Sequence, residues 1–245
     1  MSDEKTINIK KSDLWKYSTF ALVAIFLIGG IVVFANKSSL ENVVNTGTQE
    51  TGNAVDTSVF LDSSIYPSLG PENAENIVLE FSDFQCPYCA LASGLPSWTT
   101  EFAGQYGDLI GTAENVKKMA ENGKVRFIYI SMSFLGQESV YAAQAGLCAN
   151  KQGKFWEMHD EIFKSSTSPQ ENDGRYNKEN LKKIAKKISS LDTGKFDECL
   201  DSDETLSDVK KVASTASQFA SGTPTFYVDG RQVSASWNAI SGLLN

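Results

Sequence analysis

Apolar residues recur along the chain at two spacings, and their order predicts an α/β domain. Short, mostly apolar runs predict three strands, at residues 77–84, 125–130 and 225–228. Apolar residues at helical spacing predict helices at residues 112–122, at several places within about 137–220, and at 237–244. The long helical stretch therefore lies as an insertion between the two halves of a strand-and-helix domain.

Glycine and proline residues mark where several of these elements end. A helix is expected to follow residue 86 and to run to about residue 102, with an interruption at Pro96. Gly123 is a stop signal for the helix before it. Asp229-Gly230 predicts a tight turn between the last strand and a short partner at 232–234. The polar stretch 165–177 predicts a loop inside the helical insertion.

The N-terminal part has a different pattern. Residues 17–36 contain no charged side chain and are long enough to cross a bilayer core of about 30 Å as a helix. Lysines precede this run, so the positive-inside rule puts residues 1–16 in the cytoplasm and the rest outside it. We therefore predict a single-pass signal anchor in the cell membrane, a flexible polar stalk at 37–65 and a folded domain at 66–245. A signal peptide cleaved near Ala35 is the alternative, and it also exports the domain.

Charge and histidine content exclude some classes of function. The formal net charge is −8 and no cluster of Lys and Arg offsets it locally, so a nucleic-acid-binding surface is not expected. The lysines within 182–187 predict a solvated helix face. His159, the only histidine, falls on an apolar helix face with Phe155 and Phe163, which favours a packed side chain over a metal ligand. We predict neither a metal nor a cofactor.

Two cysteines carry the candidate chemistry. Cys86 and Cys89 flank Pro87-Tyr88 directly after the first predicted strand, where a helix is expected to begin. Cysteines three residues apart on a helix share one face, so their sulfurs can form a disulfide. At the helix N-terminus, free N–H groups and the helix dipole would stabilise the Cys86 thiolate and make it the nucleophile. Cys89, one turn further in, would resolve the mixed disulfide with substrate.

A permanent disulfide and half of a zinc site are alternative interpretations of this pair. The strand–motif–helix context favours a redox pair over both. A zinc site would also need a second close cysteine pair, whereas Cys148 and Cys199 stand far apart in the sequence. Four cysteines allow three pairings, and the sequence alone does not choose among them.

Two further candidates lie in or next to predicted strands. Thr223-Pro224 comes just before the last long strand. A cis bond there would turn the Thr223 backbone toward the cysteines and an extended substrate, whereas an ordinary trans proline in a loop is the alternative. Glu80 lies in the first strand. If buried, it would have a raised pKa and exchange a proton with Cys89; on an alternating strand it would instead point to solvent.

Taken together, these motifs resemble the DsbA-like thioredoxin family, and the similarity covers about residues 66–245. A lead-in, the first strand, the cysteine motif, a helical segment and the late proline carry the resemblance. The segments are Leu69-Gly70-Pro71-Glu72-Asn73-Ala74, Leu79-Glu80-Phe81, Phe84, Cys86-Pro87-Tyr88-Cys89, Gly153-Lys154-Phe155-Trp156-Glu157-Met158-His159-Asp160 and Gly222-Thr223-Pro224-Thr225-Phe226.

The resemblance implies a thioredoxin-like fold with an inserted helical domain, and oxidase, reductase or isomerase activity on exported proteins. It also implies an integral membrane partner of the DsbB or VKOR type that recycles the cysteine pair. Similar proteins pair cysteines in the regions of Cys148 and Cys199. A structural disulfide is therefore implied there, which would stabilise the fold by about 4 kcal/mol; two free thiols or a second redox relay are the alternatives. Tyr88 departs from the family pattern, because well-studied members have a thiolate-stabilising histidine at this position.

The predicted function is a dithiol oxidase that introduces disulfides into exported proteins through Cys86 and Cys89. A disulfide reductase or isomerase of the same fold is one alternative. A non-catalytic thioredoxin-like binding module, which would show no exchange with a dithiol, is the other.

Overall fold

A five-stranded mixed sheet forms the centre of the computed structural model, which describes residues 54–244. The strands are β1 (Ser68–Leu69), β2 (Asn76–Ser82), β3 (Val125–Ser131), β4 (Thr225–Val228) and β5 (Arg231–Val233). They lie in the order β1-β3-β2-β4-β5, with β2 and β3 parallel and the other neighbouring pairs antiparallel. The predicted strands are present with small shifts at their ends, whereas β1 is too short to show a periodic pattern.

Helices cover the sheet and form the expected stretch between β3 and β4. The α-helices in the described part of the chain are α1 (Pro87–Ser93), α2 (Ala103–Tyr106), α3 (Thr112–Glu121), α4 (Gln137–Asn150), α5 (Phe155–Lys164), α6 (Lys178–Ala185), α7 (Thr193–Asp201), α8 (Leu206–Ala216) and α9 (Trp237–Ser241). Two further segments, Ser58–Phe60 and Ser97–Phe102, are 3-10 helices.

The helix that carries the cysteine motif is shorter than predicted. It ends at Ser93, because Gly94 adopts a left-handed conformation with φ of 65° and its N–H bonds back to the carbonyls of Ala90 and Leu91. This glycine cap stops the helix before the interruption expected at Pro96. The chain then continues as a 3-10 helix rather than as a kinked α-helix.

Strand β2 is buried on both sides, and alternate side chains enter two different cores. Leu79 and Phe81 pack with Ile128 of β3 on one side of the sheet. Val78 packs with residues of α3 on the other side. Because successive strand residues point to opposite faces, Glu80 shares the face of Val78 and lies under the layer that contains α1.

The inserted helices do not all belong to one layer. Helices α4 to α7 pack with one another and with α1 around Phe155, Phe163, Leu181 and Phe196. Helix α8 packs against the sheet, in the same core as Leu79, and also against α4 through Val209, Ala143 and Leu147. The predicted helical insertion at about 137–220 thus contains helices in two different layers, and helical periodicity does not reveal which surface each one covers.

Residues 54–66 correct the predicted stalk at 37–65. Phe60 is fully buried, and its ring centroid lies 5.3 Å from that of Phe81 and 4.8 Å from that of Phe219. The Arg126 guanidinium donates to the carbonyl of Leu61 at 3.0 Å. A single aromatic anchor in a polar stretch gives no periodic pattern, and the folded domain therefore begins before its predicted start at residue 66.

The membrane prediction concerns another part of the chain. The predicted cytoplasmic tail at 1–16, the anchor at 17–36 and the stalk up to residue 53 lie outside the described residues. Between residues 54 and 244, no helix has the length and apolar composition that crossing a bilayer requires. The single-pass topology therefore stays a prediction from the sequence.

Replacing Phe60 by Ala should lower the free energy of unfolding by about 3–5 kcal/mol, because it removes a fully buried aromatic ring. The measurement is urea denaturation followed by tryptophan fluorescence. Leu61→Ala is the matched control, since this neighbouring side chain is exposed and should contribute less than about 1 kcal/mol. Equal effects of the two substitutions would show that residues 54–66 do not anchor the domain as described.

Candidate active site

Cys86 and Cys89 lie at the start of α1, directly after β2. Cys86 is the N-cap residue, and its carbonyl accepts the first helical hydrogen bond from Ala90 N at 3.0 Å. Pro87 occupies the first helical position, where its missing N–H leaves no acceptor unpaired. Tyr88 points outward and is 45% exposed, whereas Cys89 is completely buried. Both cysteines are free thiols in this structure.

The surroundings of Cys86 stabilise its thiolate. A hydrogen bond from the Cys89 thiol, aided by the Thr223 hydroxyl and the backbone N–H groups of Cys89 and Tyr88, lowers the pKa of Cys86 to about 7, against the opposing effect of burial. The N–H groups are those that a helix N-terminus leaves without intrahelical partners. The Cys86 thiolate is therefore well populated near neutral pH.

Cys89 has the opposite character. Burial, together with the neighbouring Cys86 and Glu80 side chains, raises its pKa well above the ordinary range. The two sulfurs of one motif thus differ in their preferred protonation state, because one lies at the helix end and the other inside the core. In the reduced pair, this difference places the thiolate on Cys86 and the proton on Cys89.

The loop before β4 meets the cysteine motif from the other side. The Thr223–Pro224 peptide bond is cis, and the thiol of Cys86 donates to the Thr223 carbonyl at 3.4 Å. Thr223 Oγ1 is buried and has no hydrogen-bond partner among the described residues. Its hydroxyl is therefore free to donate to Cys86 once the thiol is ionised. The sequence motif singled out the Thr223 backbone but not this hydroxyl.

Glu80 is buried beneath the cysteine motif. It pairs with Tyr129 of β3 and Phe226 of β4 in the sheet register. Burial raises its pKa to about 8, opposed by the Ser82 hydroxyl and reinforced by the charge of Cys86. Glu80 is therefore mostly protonated at neutral pH and lies close enough to Cys89 to influence its pKa. Of the two orientations considered from the sequence, the structure has the buried one.

Several polar residues near the site were not found by sequence analysis. Ser82 and Tyr129 lie on the same sheet face as Glu80, and burial raises the pKa of Tyr129 well above its usual range. Asp83 and Gln85, between β2 and Cys86, are also buried. In the sequence, each of these residues is only a polar residue in or beside an apolar strand. Because such residues are common where strands meet loops, they do not by themselves indicate a functional site.

Cys148 and Cys199 form a disulfide that joins α4 to α7. Both residues are buried and belong to the same core as α1. Across residues 54–244, no group of three or more His, Cys, Asp and Glu side chains has the arrangement of a metal site. The structure thus brings Glu80, Thr223 and Pro224 to the Cys86–Cys89 motif and keeps the other two cysteines paired elsewhere.

Two adjacent thiols with unequal pKa values, one at a helix N-terminus and one in the core, form a site for thiol–disulfide exchange.

Comparison with known proteins agrees with a thiol–disulfide exchange protein. A family model described as Thioredoxin matches residues 108–245, more than half of the chain. A Bacillus anthracis protein named "Probable disulfide bond formation protein D" is 29% identical over 181 residues, which cover 72% of this chain and 76% of that protein.

Solved structures show the same fold. Oxidised BdbD from Bacillus subtilis has a TM-score of 0.57 at 23% identity and covers 74% of this chain and 91% of its own. DsbA from Chlamydia trachomatis has a TM-score of 0.56 at 20% identity and covers 73% of this chain and 89% of its own. The chain therefore belongs to the thioredoxin family, and it is a protein disulfide oxidoreductase. Because the family match begins after Cys89, the individual roles of the two cysteines rest on geometry.

Thr223→Val should raise the pKa of Cys86 from about 7 toward about 8, because it removes a hydroxyl that donates to the thiolate. The measurement is the rate of alkylation of the reduced protein by iodoacetamide between pH 5 and pH 10. Thr223→Ser keeps the hydroxyl and should leave the midpoint near that of the unchanged protein. An unchanged midpoint in Thr223→Val would mean that the hydroxyl does not act on Cys86.

Glu80→Gln should change how the stability of the reduced protein depends on pH. The pKa of Glu80 is about 8 when folded and about 4.3 when unfolded. Between these values the folded state binds more protons, so stability falls as pH rises. A glutamine does not titrate, so the variant should lose this pH dependence. The free energy of unfolding of Glu80→Gln, relative to that of the unchanged protein, should therefore be up to about 3 kcal/mol higher at pH 7 than at pH 4.

Urea denaturation at pH 4, 5.5, 7 and 8 measures this difference. The exposed Glu171→Gln is the control for removing a carboxylate from the surface. Parallel stability curves for Glu80→Gln and the unchanged protein would contradict the raised pKa of Glu80.

Proposed function

We propose that this chain is a dithiol oxidase that introduces disulfides into exported proteins, with Cys86 as the exchanging sulfur and Cys89 as its partner. The observation that carries the proposal is the unequal stabilisation of the two sulfurs. The thiolate is favoured at Cys86 and the thiol is favoured at Cys89. In the reduced pair, the charge therefore rests on the sulfur nearer the surface.

The first step begins with the Cys86–Cys89 disulfide and a substrate thiolate. The thiolate attacks Cys86 Sγ, the bond between the two cysteines breaks, and Cys89 leaves with the electron pair. Tyr88 and the backbone of Thr223 flank Cys86, so an extended substrate segment would lie across them. The product of this step is a mixed disulfide between substrate and Cys86.

Glu80 completes the first step by moving a proton. The Cys89 thiolate is unstable in the core, as its raised pKa indicates. Protonated Glu80 lies beneath it and can supply a proton directly or through a neighbouring polar group. Transfer would leave Glu80 ionised and Cys89 neutral, and solvent would later return the proton to Glu80.

The second step releases an oxidised substrate. A second substrate thiolate attacks the substrate sulfur of the mixed disulfide, and Cys86 leaves as a thiolate. Its lowered pKa makes it a good leaving group. Two electrons have then passed from two substrate thiols to the cysteine pair, and one disulfide has formed in the substrate.

One consideration favours oxidation over reduction: the Bacillus relative is named for disulfide bond formation. A stabilised Cys86 thiolate lowers the free energy of the reduced pair, but a pKa of about 7 is also that of thioredoxin, a reductant, so the pKa of Cys86 alone does not set the direction. The alternative reductase uses the same exchange chemistry with the opposite electron flow, and the alternative isomerase uses it with no net electron flow.

The proposed setting is the outer side of the cell membrane. Residues 17–36 would anchor the chain, with residues 1–16 in the cytoplasm and the catalytic domain outside. An integral membrane protein of the DsbB or VKOR type would accept the two electrons and restore the Cys86–Cys89 disulfide. Exported proteins with reduced cysteines would be the substrates.

The reduction potential of the Cys86–Cys89 pair tests the proposed direction. We expect a value less negative than about −220 mV but more negative than the value of about −120 mV for DsbA. The limit at about −120 mV follows because a Cys86 pKa of about 7 stabilises the thiolate less than the DsbA pKa of about 3.5 does. The limit at about −220 mV follows from the proposed oxidase activity and not from the pKa, since thioredoxin, a reductant, also has a cysteine pKa of about 7. The full chain in mild detergent is equilibrated with glutathione buffers, and free thiols are labelled and counted by mass.

Two variants identify the exchanging sulfur in the same buffers. Cys86→Ser should show no exchange, and Cys89→Ser should accumulate a mixed disulfide with glutathione. A potential near −270 mV, about that of thioredoxin, would contradict the oxidase and indicate a reductase. Full exchange in Cys86→Ser would reject the assigned roles altogether.

A further inference from the structure

Asp83 is a buried carboxylate that joins the active-site loop to the turn after β3. Its Oδ1 accepts from Gln85 N at 2.9 Å and from Ser139 Oγ at 2.7 Å. Its Oδ2 accepts from the backbone N–H groups of Phe134 and Leu135 at 3.0 and 3.3 Å. Asp83 therefore fixes the position of residues 134 and 135 relative to the loop that leads into Cys86.

Gln85, the residue immediately before Cys86, extends this network to the helical insertion. Its side-chain Nε2 lies 3.0 Å from Ser139 Oγ, 3.2 Å from Leu135 O and 3.2 Å from Asn172 Oδ1. Its Oε1 accepts from the backbone N of Asn172 at 2.7 Å. The amide group of Gln85 thus bonds to Asn172 with both its donor and its acceptor end.

Asn172 lies in the loop between α5 and α6 and is shaped for this contact. Its backbone is left-handed, with φ of 51°, a conformation that asparagine tolerates better than most residues. Its Nδ2 donates to Leu135 O at 2.8 Å. A Cβ on Gly136 would lie 2.5 Å from Asn172 Oδ1, so only glycine leaves room for this arrangement.

These bonds unite three segments that are distant in sequence. The active-site loop, the turn at residues 133–136 and the loop at residues 166–177 meet at Gln85. The turn also presents Phe134, whose side chain is 50% exposed, and Tyr88 between the two cysteines is 45% exposed. The network therefore sets the position of one exposed aromatic side chain and of the insertion loop relative to Cys86.

We propose that Gln85 and Asn172 are positioning residues that hold the protein-binding rim, made of Phe134 and the loop at 166–177, in register with Cys86. This inference rests on the proposed function, because it concerns how an unfolded protein substrate is aligned. A dithiol small enough to reach Cys86 without touching the rim does not depend on the alignment. The two kinds of substrate should therefore respond differently when the network is broken.

The test compares second-order rate constants for reduction of the Cys86–Cys89 disulfide in the full chain, purified in mild detergent. One reductant is a reduced, unfolded protein with several cysteines, and the other is dithiothreitol. Asn172→Gly removes the side-chain bonds but keeps the left-handed backbone and the N–H that donates to Gln85 Oε1. We expect about a tenfold fall for the protein, equivalent to about 1.4 kcal/mol, and less than about a twofold change for dithiothreitol.

Gln85→Ala should show the same split, with a larger loss for the protein substrate. Ser190→Gly is the matched control, because it replaces another left-handed, exposed residue of the insertion that makes none of the hydrogen bonds described for Gln85. It should leave both rates unchanged. If Gln85→Ala fails to fold, as judged by circular dichroism, Asn172→Gly carries the test.

Each other outcome has a definite meaning. Equal losses with both reductants would show that the network acts on Cys86 itself or on folding, and would overturn the inference, as would unchanged rates in Asn172→Gly. If the unchanged chain reacts with dithiothreitol but not with the reduced protein, the proposed function fails, and this inference fails with it.

Discussion

The structure depends on one junction, where a buried strand ends and a helix begins within four residues. Strand β2 is covered on both faces, so it fixes the direction of the chain that leaves it. Cys86 then lies at the helix end, among free N–H groups, and Cys89 lies one turn inside the core. The chemistry of both sulfurs follows from this placement, since burial and dipole act on them in opposite directions.

The buried acid beneath the motif opposes stability, and its proposed role is to support the reaction. A carboxylate in the core has a high desolvation cost, so Glu80 stays protonated at neutral pH. In the proposed first step, Cys89 takes up a proton when the disulfide opens, and Glu80 lies beneath it. The burial that raises the pKa of Cys89 also keeps Glu80 protonated, so the proposed proton donor carries its proton before exchange begins.

Local patterns in the sequence predicted the strands, the junction and the cysteine pair, because each depends on residues within one or two turns. These local patterns did not predict features that depend on contacts between residues distant in sequence. The run at 77–84 is apolar on both faces, so its alternation did not show that Glu80 is buried. Phe60 is a single aromatic residue in a polar stretch, and only its contacts with Phe81 and Phe219 reveal it as core. The sequence pattern of α8 likewise does not show which surface the helix covers, because that depends on residues distant in sequence.

The residues around the site divide in the same way. Apart from Thr223, the groups that set the protonation of the reactive pair lie within a few residues of it. Asp83 and Gln85 instead bond to groups about fifty or more positions away, at Leu135, Ser139 and Asn172. No local pattern in the sequence predicts such bonds, so the cysteine pair is predictable from the sequence and the polar network around it is not. The groups that lower the pKa of Cys86 belong to Cys89, Tyr88 and Thr223, whereas Gln85 bonds to Leu135, Ser139 and Asn172. Reactivity at Cys86 and the proposed substrate alignment therefore use different sets of contacts.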